Sequence, residues 1–415
     1  MTIAAHTLGC KLNFAETSDI VHRFEEAGWT PVTFEDKADL YVINTCTVTA
    51  IAERKGRNAI RQAVTRNANA IVAVIGCFAQ NSANEISKID GVDIILGNDR
   101  KHNLLHYVNE KLGICTPFTA NNGSAFTTQY SRSDRTRTFF KIQDGCDYFC
   151  SYCAIPFARG RSRSATIAET VATAKQIAKT GTKEVVLTGI NTGTFGIVHG
   201  ESFLELLRQL DTVDGIERFR ISSIEPNLLT DEIIDFVASS RHFLPHFHIP
   251  LQAGSNKVLK MMHRRYDTAF YDTLLRKIRS VMPDACIAAD IMAGFNGEDD
   301  DEFEKTKLFV SMLPISYLHV FTFSERPNTA VLKMDGRIDV HKRRLHSREL
   351  QEISDQKRQA FYLSQQGKIR PVLWESTPHN DDNIKLMYGF TDNYIRVSAQ
   401  FNPKLINTIT QFKIQ

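Results

Sequence analysis

Six apolar, strand-like runs follow one another from Phe139 onward, each separated from the next by a polar stretch of helical character. They are FFKIQ, EVVLTG, RFRISS, FHIPL, CIAADIMAG and YLHVFTFS, with helix-like stretches such as SATIAETVATAKQIAKTG and AFYDTLLRKIRSVM between them. A chain that alternates strands and helices in this way folds into a parallel sheet covered by helices. Six such units in series predict a TIM-like (β/α) barrel, complete or open on one side.

The chain before and after these runs has patterns of its own. Up to residue 115, the runs IAAHTLGC, DLYVINTC and AIVAVIGC alternate with helix-like stretches such as NFAETSDIVHRFEEAGW, which predicts an α/β domain with a parallel sheet. Residues 116–135 are rich in Asn, Gly, Ser and Thr and are interpreted as a linker. The barrel and a charged helix after it would occupy 136–366. Residues 367–415 show strand alternation broken by turns, which is typical of a small β-barrel.

The bulk composition is that of a soluble globular protein. The chain has 415 residues, of which 42% are hydrophobic and 23% charged, and this length predicts about two to four domains. The N-terminal residues lack the pattern of a secretion signal, and no run approaches the ~18 apolar residues that span a bilayer. We therefore expect a cytoplasmic protein with no membrane partner. The formal net charge is only +3, so any nucleic-acid surface has to be local.

Three of the eight cysteines lie close together in the stretch QDGCDYFCSYC, as Cys146, Cys150 and Cys153. Disulfides are rare in the cytoplasm, so these residues are metal ligands, catalytic thiols or small core side chains. A structural zinc ion would need a distant fourth ligand, and buried, inert cysteines are the other alternative. A four-iron, four-sulfur cluster held by three cysteines keeps one iron open for a substrate or cofactor. The spacing favours this cluster.

A second set of cysteines follows the apolar runs of the N-terminal domain. Cys10, Cys46 and Cys77 come directly after the first, second and third run, in TLGC, INTC and VIGC. The carboxyl ends of parallel strands meet at one edge of a sheet, where such folds build their sites. A single cysteine in such a place is usually a core residue, but three in equivalent places predict a second three-thiolate cluster. The remaining two, Cys115 and Cys286, are interpreted as structural.

These motifs resemble those of a known family. The Cys-x3-Cys-x-Tyr-Cys arrangement after a barrel strand resembles the radical S-adenosylmethionine (SAM) enzymes, whose open iron binds SAM. A cysteine triplet ahead of such a barrel, with a small β-barrel behind it, is similar to the methylthiotransferase family. The resemblance extends over essentially the whole chain, and the last block resembles the RNA-binding TRAM domain. It rests on the stretches TLGCKLNFAET, VINTCTVT, VIGCFAQ, CDYFCSYCAIPFARGRSRS, VVLTGINTGTFG, ISSIEP, FHIPLQAGSNKVLKMMHRRY and SERPNTA.

The resemblance implies two [4Fe-4S] clusters and two SAM molecules per turnover. One SAM would methylate a sulfide carried by the auxiliary cluster of Cys10, Cys46 and Cys77, giving a methylsulfide, and the other would be cleaved at the second cluster to form a radical. The product would be an adenosine with a methylthio group on carbon 2. That carbon carries a hydrogen of no useful acidity, so acid–base catalysis by side chains has little to act on.

The substrate branch is suggested by Lys11, directly after the first cysteine. It resembles the branch that converts N6-threonylcarbamoyladenosine at position 37 of tRNA, next to the anticodon. Two alternatives are methylthiolation of N6-isopentenyladenosine in tRNA and methylthiolation of ribosomal protein S12. The partners implied are the tRNA anticodon stem-loop, a one-electron reductant of the flavodoxin or ferredoxin type, and the iron–sulfur assembly machinery.

Residues at the barrel strand ends are the candidates for binding SAM, because barrel sites are built there. For each of them, a structural hydrogen bond within the barrel is the alternative. Together with the aromatic residue of the cysteine loop, they are Tyr152, Gly189, Asn191, Ser223, Glu225, His248 and Gln252. Candidates for contacting the RNA adjoin the cysteines, where an unpaired base would have to be presented. They are Lys11, Asn13, Asn44, Arg159 and Arg161.

Two stretches depart from the family pattern, and one class of function competes with it. The family's GFPGE loop reads GFNGE at Gly294–Glu298, and its RPGT turn reads RPNT at Arg326–Thr329. A non-enzymatic iron–sulfur electron carrier, or an RNA-binding protein with inert clusters, is the competing class. A carrier is expected to hold each cluster with four cysteines, whereas this chain supplies two sets of three.

Overall fold

The computed structural model describes residues 1–114, 126–132, 136–375, 379–381 and 384–415. Cys115 and most of the expected linker lie outside the described residues. The chain divides into two compact units. The first unit comprises Met1–Ser133, Phe139–Ala165 and Ser324–Leu332, and the second comprises Asp134–Thr138, Thr166–Phe323 and Lys333–Gln415.

The first unit combines strands with helices. One strand, β7, is divided, because its first two residues belong to the second unit. The strands are β1 (Thr2–Thr7), β2 (Thr30–Val32), β3 (Leu40–Thr45), β4 (Ile71–Gly76), β5 (Ile94–Leu96), β6 (Gln129–Tyr130), β7 (Arg137–Lys141), β8 (Gln143–Asp144) and β9 (Arg163–Ser164). The helices are α1 (Lys11–Glu26), α2 (Ala50–Arg66), α3 (Cys77–Asn81), α4 (Ala83–Ile86), α5 (Leu104–Lys111) and α6 (Ile155–Arg159), with a 3-10 turn at Lys101–Asn103.

The main sheet of this unit is parallel, with the strand order β2-β1-β3-β4-β5. Every residue of β3 and β4 is buried, as expected of central strands covered by helices on both faces. One apolar cluster, containing Tyr41 and Phe78, packs on one side, and another, containing Phe24 and Trp29, packs on the other. The parallel sheet predicted for the N-terminal residues is therefore confirmed.

The second unit continues with βα pairs and ends in an antiparallel sheet. Its strands are β10 (Glu184–Thr188), β11 (Arg218–Ile221), β12 (His246–His248), β13 (Cys286–Ala293), β14 (Tyr317–Thr322), β15 (Ile369–Trp374), β16 (His379–Asp381), β17 (Ile384–Thr391), β18 (Arg396–Gln400) and β19 (Ile409–Lys413). Its helices are α7 (Ile167–Ala178), α8 (Phe203–Leu210), α9 (Asp231–Ser239), α10 (Asn256–Met261), α11 (Thr268–Val281), α12 (Asp300–Met312) and α13 (Val340–Gln365). Short 3-10 turns lie at Thr192–Thr194, Ile197–His199, Pro226–Leu228 and Pro403–Leu405. A further 3-10 turn, Ala330–Lys333, lies mostly in the first unit's segment Ser324–Leu332.

The strands β10 to β14 of this unit are parallel. β10 pairs with β11, and β12 pairs with β13, which pairs with β14. Isolated parallel bridges join Ser223, after β11, to His248 of β12, and Phe219 of β11 to Phe243, just before β12. Side-chain oxygens that accept a bond from the first helical turn mark where the covering helices begin, as N-caps do. The caps of the helices α7 to α13 are Thr166, Ser202, Thr230, Ser255, Asp267, Asp299 and Asp339.

All six runs predicted as strands do form strands, namely β7 and β10 to β14. After the long helix α13, β15 pairs antiparallel with β17 and β19, and Trp374 is buried in the core of this small sheet. The fold is thus mixed α/β with parallel sheets. Each helix of the described residues is too short or too polar to cross a membrane.

Candidate functional site

The three N-terminal cysteines leave adjacent strands of the first unit's sheet. Cys10 caps α1 after β1, Cys46 follows β3, and Cys77 is the first residue of α3 directly after β4. The register pairs Thr45 with Gly76, so the residues that follow, Cys46 and Cys77, leave the sheet at the same level. The sequence pattern therefore brings the three thiols to one edge of the sheet, as parallel strands require.

The backbone between β1 and α1 lies directly against the second cysteine. Gly9 has a φ of +101°, and a Cβ atom added to it would lie 2.8 Å from the Cβ of Cys46. Only glycine combines this backbone conformation with such a close approach. The Cys46 thiol is within electrostatic reach of Cys77 and Cys10, and its burial raises its pKa to about 12. Bound iron would supply the positive charge that turns such a buried thiol into a thiolate.

Asn98 joins the third cysteine to the loop that carries the other set. Its Nδ2 donates to Sγ of Cys77 at 3.5 Å and to the carbonyl oxygen of Ala158 in α6 at 2.8 Å. Its Oδ1 accepts a bond from Nζ of Lys101 at 2.6 Å. One buried amide therefore holds a thiol, the helix after the second cysteine loop, and a buried ammonium group.

A network of buried charges lies behind these cysteines. Glu16 accepts bonds from Nζ of Lys101 at 2.5 Å, Nζ of Lys141 at 2.9 Å and the guanidinium of Arg159 at 3.0 Å. Asp144 pairs with Arg159 at 2.9 Å and with Lys141 at 3.0 Å. Burial alone would raise the pKa of Glu16, but the three cations hold it well below its usual value. Burial would also raise the pKa of Asp144, but Arg159, Lys141 and Arg163 hold it below its usual value.

The charge of this network suits an iron–sulfur cluster. Three buried cations face two buried anions, and half-buried Arg163 also pairs with Asp144 at 3.2 Å, so the network carries a net positive charge. Arg159 interacts electrostatically with Cys77 and Cys10, and its buried Nε atom has no acceptor among the described residues. An oxidised cubane core with three thiolates carries one net negative charge, so the positive network would stabilise it. The residues present therefore fit a [4Fe-4S] group.

The second set of cysteines lies on a loop that is clamped at both ends. β8 and β9 pair antiparallel on either side of it, and the backbone N–H of Cys146 donates to the carbonyl oxygen of Gly160 at 3.1 Å. Cys153 N–H donates to the carbonyl oxygen of Cys150 at 3.0 Å. Cys150 is buried, while Cys146 and Cys153 are half-buried. Three thiols on one short, fixed loop are a donor set that one cubane accepts, with its fourth iron open.

The RPNT turn and the residues directly after it belong to the first unit and contact both cysteine-bearing regions. Arg326 pairs with buried Glu53 of α2, the helix that follows Cys46. Val331 N–H donates to the carbonyl oxygen of Ser151, inside the second cysteine loop, at 2.8 Å. Asn328 replaces the family's glycine and has a φ of +65°. Asparagine is among the few residues that tolerate this left-handed conformation.

Several of the SAM candidates lie together at the strand ends of the second unit. Thr192 N–H donates to the carbonyl oxygen of Ser223 at 3.3 Å, and Glu225 N–H donates to Oδ1 of Asn191 at 3.5 Å. The Glu225 carboxylate pairs with Arg264, while burial raises its pKa. The loops after β10 and β11 are thus tied to each other.

His248 is the centre of a second polar group in that unit. Its Nε2 lies 2.7 Å from Oδ1 of Asp290, and its ring centroid lies 5.3 Å from that of His319. The ligand atoms of these three residues all lie within 4.8 Å of one another. Two imidazoles and a carboxylate are a set that divalent transition metals accept. Gln252 follows with a φ of +70°, and its N–H donates to the carbonyl oxygen of Asp290 at 2.8 Å.

Two family models match the chain. Residues 2–97 match the one described as Uncharacterized protein family UPF0004, and residues 140–310 match the Radical SAM superfamily. The protein of Bacillus subtilis (strain 168) named Threonylcarbamoyladenosine tRNA methylthiotransferase MtaB is 38% identical over 421 residues, with 100% of this chain and 93% of the relative covered. The chain belongs to the radical-SAM methylthiotransferase family.

Other methylthiotransferases show a similar degree of likeness. An Aquifex aeolicus (strain VF5) protein, also named Threonylcarbamoyladenosine tRNA methylthiotransferase MtaB, is 37% identical, with 96% of this chain and 97% of the relative covered. A Clostridium botulinum (strain Hall) protein named tRNA-2-methylthio-N(6)-dimethylallyladenosine synthase is 32% identical, with coverages of 92% and 87%. Among solved structures, the radical SAM methyltransferase TsrM of Kitasatospora setae matches with a TM-score of 0.54 at 14% identity. The match covers 80% of this chain and 73% of the TsrM chain. At this low identity, the likeness indicates a shared fold and nothing more.

The candidates for RNA contact in this methylthiotransferase differ in exposure. Lys11 is half-buried as the first residue of α1, and Arg161 is 76% exposed. Asn13, Asn44 and Arg159 are buried. Asn13 accepts a bond from Arg159 at 2.5 Å, and the Asn44 amide donates to the carbonyl oxygen of Asn13 at 3.1 Å.

The remaining SAM candidates lie in separate places. Gly189 directly follows β10, and Tyr152 is half-buried in the cysteine loop of the first unit.

Sequence reasoning missed the polar residues around the methylthiotransferase cysteines. They are Glu16, Glu53, Asn98, Lys101 and Lys141 of the first unit. In the second unit, sequence reasoning also missed Asp290 and His319, which lie beside His248. One signal was present in the sequence, namely the lysine within the apolar strand run FFKIQ. A charged residue in such a run requires a buried partner, but the run does not say which one.

Proposed function

We propose that the chain converts N6-threonylcarbamoyladenosine at position 37 of tRNA to its 2-methylthio derivative. The observation that carries the proposal is the likeness to the Bacillus subtilis enzyme over the full chain. The position of Lys11 after the first cysteine supports the same substrate branch. The dimethylallyladenosine branch is the second candidate, because the Clostridium botulinum relative is named for it.

The radical SAM family implies one [4Fe-4S] cluster and SAM, and we assign that cluster to Cys146, Cys150 and Cys153. We assign a second cluster, with its sulfide or methylsulfide, to Cys10, Cys46 and Cys77. When bound, these groups supply the electron that cleaves SAM to a radical and the sulfur that is transferred. The protein's own residues hold the cysteine loops, exclude water and place charge.

Arg159 and Asn13 are assigned a positioning role. Arg159 is fully buried between Glu16, Asp144 and Asn13, within electrostatic reach of Cys10 and Cys77. A cation held there favours ligated thiolates over free thiols. Since Asn13 and Asn44 are buried in the same region, we assign them to holding the loops, and we assign RNA contact to Lys11 and Arg161.

The second unit is proposed to bind SAM with Gly189, Asn191, Ser223, Glu225, His248 and Gln252, aided by Tyr152 of the cysteine loop. Its parallel strands are proposed to be the partial barrel of radical SAM enzymes, and β15 to β19 a TRAM-like RNA-binding domain. The division into 1–115, 116–135, 136–366 and 367–415 is proposed to describe the functional domains. A flavodoxin- or ferredoxin-type reductant and the iron–sulfur assembly machinery complete the partners.

The test is nucleoside mass spectrometry of tRNA from a bacterial strain that lacks adenosine methylthiolation, with and without this gene. Expression is expected to produce 2-methylthio-N6-threonylcarbamoyladenosine, and Cys146→Ala is expected to abolish it. A methylthio group on isopentenyladenosine alone would move the chain to the second candidate. If no tRNA nucleoside changes although the protein carries its iron, tRNA is not the substrate and ribosomal protein S12 is the next to examine.

A further inference from the structure

Phe149 has an uncommon backbone for a bulky residue. It lies in the second cysteine loop, directly before Cys150, with a φ of +49°. Left-handed backbone is strained for an aromatic side chain and persists only where the surrounding structure enforces it. Here the ring is 42% exposed, while the neighbouring Cys150 is buried. The strain therefore directs a large apolar ring outward, which is the opposite of what core packing would favour.

The surrounding structure does enforce this geometry. β8 and β9 clamp the loop through the pairs Gln143 with Ser164 and Asp144 with Arg163. Gly145, at the start of the loop, packs against the backbone of Arg161 so closely that a side chain there would overlap it. The segment that carries Arg161 is thus fixed relative to the loop that carries Phe149.

Arg161 completes a surface with Phe149. Its guanidinium carbon lies 4.7 Å from the centre of the Phe149 ring, and its side chain is 76% exposed. The guanidinium also contacts Oδ1 of Asp147 at 3.3 Å, which orients it beside the ring. An exposed aromatic ring next to an arginine is the combination that stacks unpaired bases and contacts the adjoining phosphate.

We propose that Phe149 and Arg161 form a stacking site for an unpaired nucleobase of the RNA substrate. The ligand class is a single-stranded ribonucleotide, with its base on the Phe149 ring and its phosphate near the Arg161 guanidinium. This inference rests on the proposed function, because it requires an RNA substrate. It adds a contact in the cysteine loop itself, so the base that stacks there lies beside the radical-forming cysteines.

The test measures RNA affinity in the anaerobically reconstituted full-length enzyme. Phe149→Leu keeps an apolar side chain and the same backbone strain but removes the aromatic face, and Phe149→Tyr restores that face. The matched control is Phe270→Leu, which alters a ring of similar exposure, 44%, on α11. The probe is a synthetic tRNA anticodon stem-loop that contains threonylcarbamoyladenosine, with 2-aminopurine at one loop position at a time.

Phe149→Leu is expected to raise the dissociation constant at least about fivefold and to reduce the quenching of one 2-aminopurine. Phe149→Tyr and Phe270→Leu are expected to stay within about twofold of the wild type. Arg161 lies outside the stretch from Cys146 to Cys153, and Arg161→Gln is expected to weaken binding and reduce the salt slope by about one ion. Iron content and SAM cleavage without RNA are measured for every variant.

The outcomes separate this inference from the proposed function. If the wild type binds and modifies the RNA but Phe149→Leu and Arg161→Gln bind it equally well, the stacking site is wrong and the proposed function stands. If Phe149→Leu loses its iron, the RNA affinity of Arg161→Gln becomes the test. Unchanged affinity and an unchanged salt slope in that variant would overturn the stacking site. If the iron-loaded wild type neither binds nor modifies the RNA, both proposals are wrong.

Discussion

At the scale of single residues, Asn98 is one of the side chains that connect the two cysteine regions. It donates to Sγ of Cys77, and hydrogen bonds to ligand sulfurs raise the reduction potential of a cluster. We expect Asn98→Leu to lower the potential of the auxiliary cluster by on the order of 40 mV, which corresponds to one hydrogen bond of about 1 kcal/mol. Redox titration followed by electron paramagnetic resonance measures it.

The control for this prediction lies in the same sample. The cluster of Cys146, Cys150 and Cys153 receives no bond from the Asn98 side chain among the bonds described, so its potential is expected to stay unchanged. Equal potentials of the auxiliary cluster in the variant and the wild type would show that Asn98 does not act on the sulfur.

Glu16 is a second single residue with a specific role, because its buried carboxylate stabilises the folded chain. Glu16→Gln would leave three buried cations with one buried anion, so we expect it to lower the free energy of unfolding by about 3–5 kcal/mol. Because the folded pKa of Glu16 is depressed, its contribution is full above an unfolded pKa of about 4.3 and is lost as the pH falls toward the folded pKa.

Denaturant unfolding at several pH values tests this prediction. The wild type is expected to lose stability below about pH 4 more steeply than Glu16→Gln. Glu26→Gln, at a carboxylate that is 63% exposed on the same helix, is the control and should change stability by less than about 0.5 kcal/mol. Equal effects of the two substitutions would contradict a special role for the buried carboxylate.

At the scale of elements, the RPNT turn has an asparagine in left-handed backbone at the position where the family pattern has glycine. Asn328 has a φ of +65°, so Asn328→Gly is expected to be neutral within about 0.5 kcal/mol. Asn328→Val places a β-branched side chain in left-handed backbone and is expected to cost about 1–2 kcal/mol. Thermal unfolding compares the variants, and a Val variant as stable as the Gly variant would mean that the turn changes conformation.

Strands and helices were predictable from the sequence because their signals are local. The runs ending in Cys10, Cys46 and Cys77 predicted parallel strands, and the sheet order then brings their ends together. The buried network was not predictable in the same way. Lys141 binds Glu16, which lies 125 residues away in the chain, and no periodicity encodes such a pair. The strain at Phe149 is a property of the folded loop, so a single sequence gives no sign of it.

At the scale of the whole molecule, the two cysteine sets come from distant parts of the chain but lie in one compact unit. If each set holds its own cluster, the reconstituted protein carries about eight irons. Cys77→Ala is then expected to reduce the iron to about four and to leave SAM cleavage largely intact, whereas Cys150→Ala removes four irons and abolishes cleavage. Iron analysis and the yield of 5′-deoxyadenosine measure both effects.

Cys286→Ala is the matched control for these variants, because Cys286 is buried in the core of the second unit, in the same apolar cluster as Trp374. It should leave iron content and SAM cleavage unchanged. If the two cysteine sets shared one cluster, Cys77→Ala and Cys150→Ala would lose the same iron, and both variants would stop SAM cleavage. Unchanged iron in Cys77→Ala would remove the auxiliary cluster from the proposal. The methylthio sulfur would then need another carrier, because the chemistry on carbon 2 requires a sulfur donor whichever residues hold it.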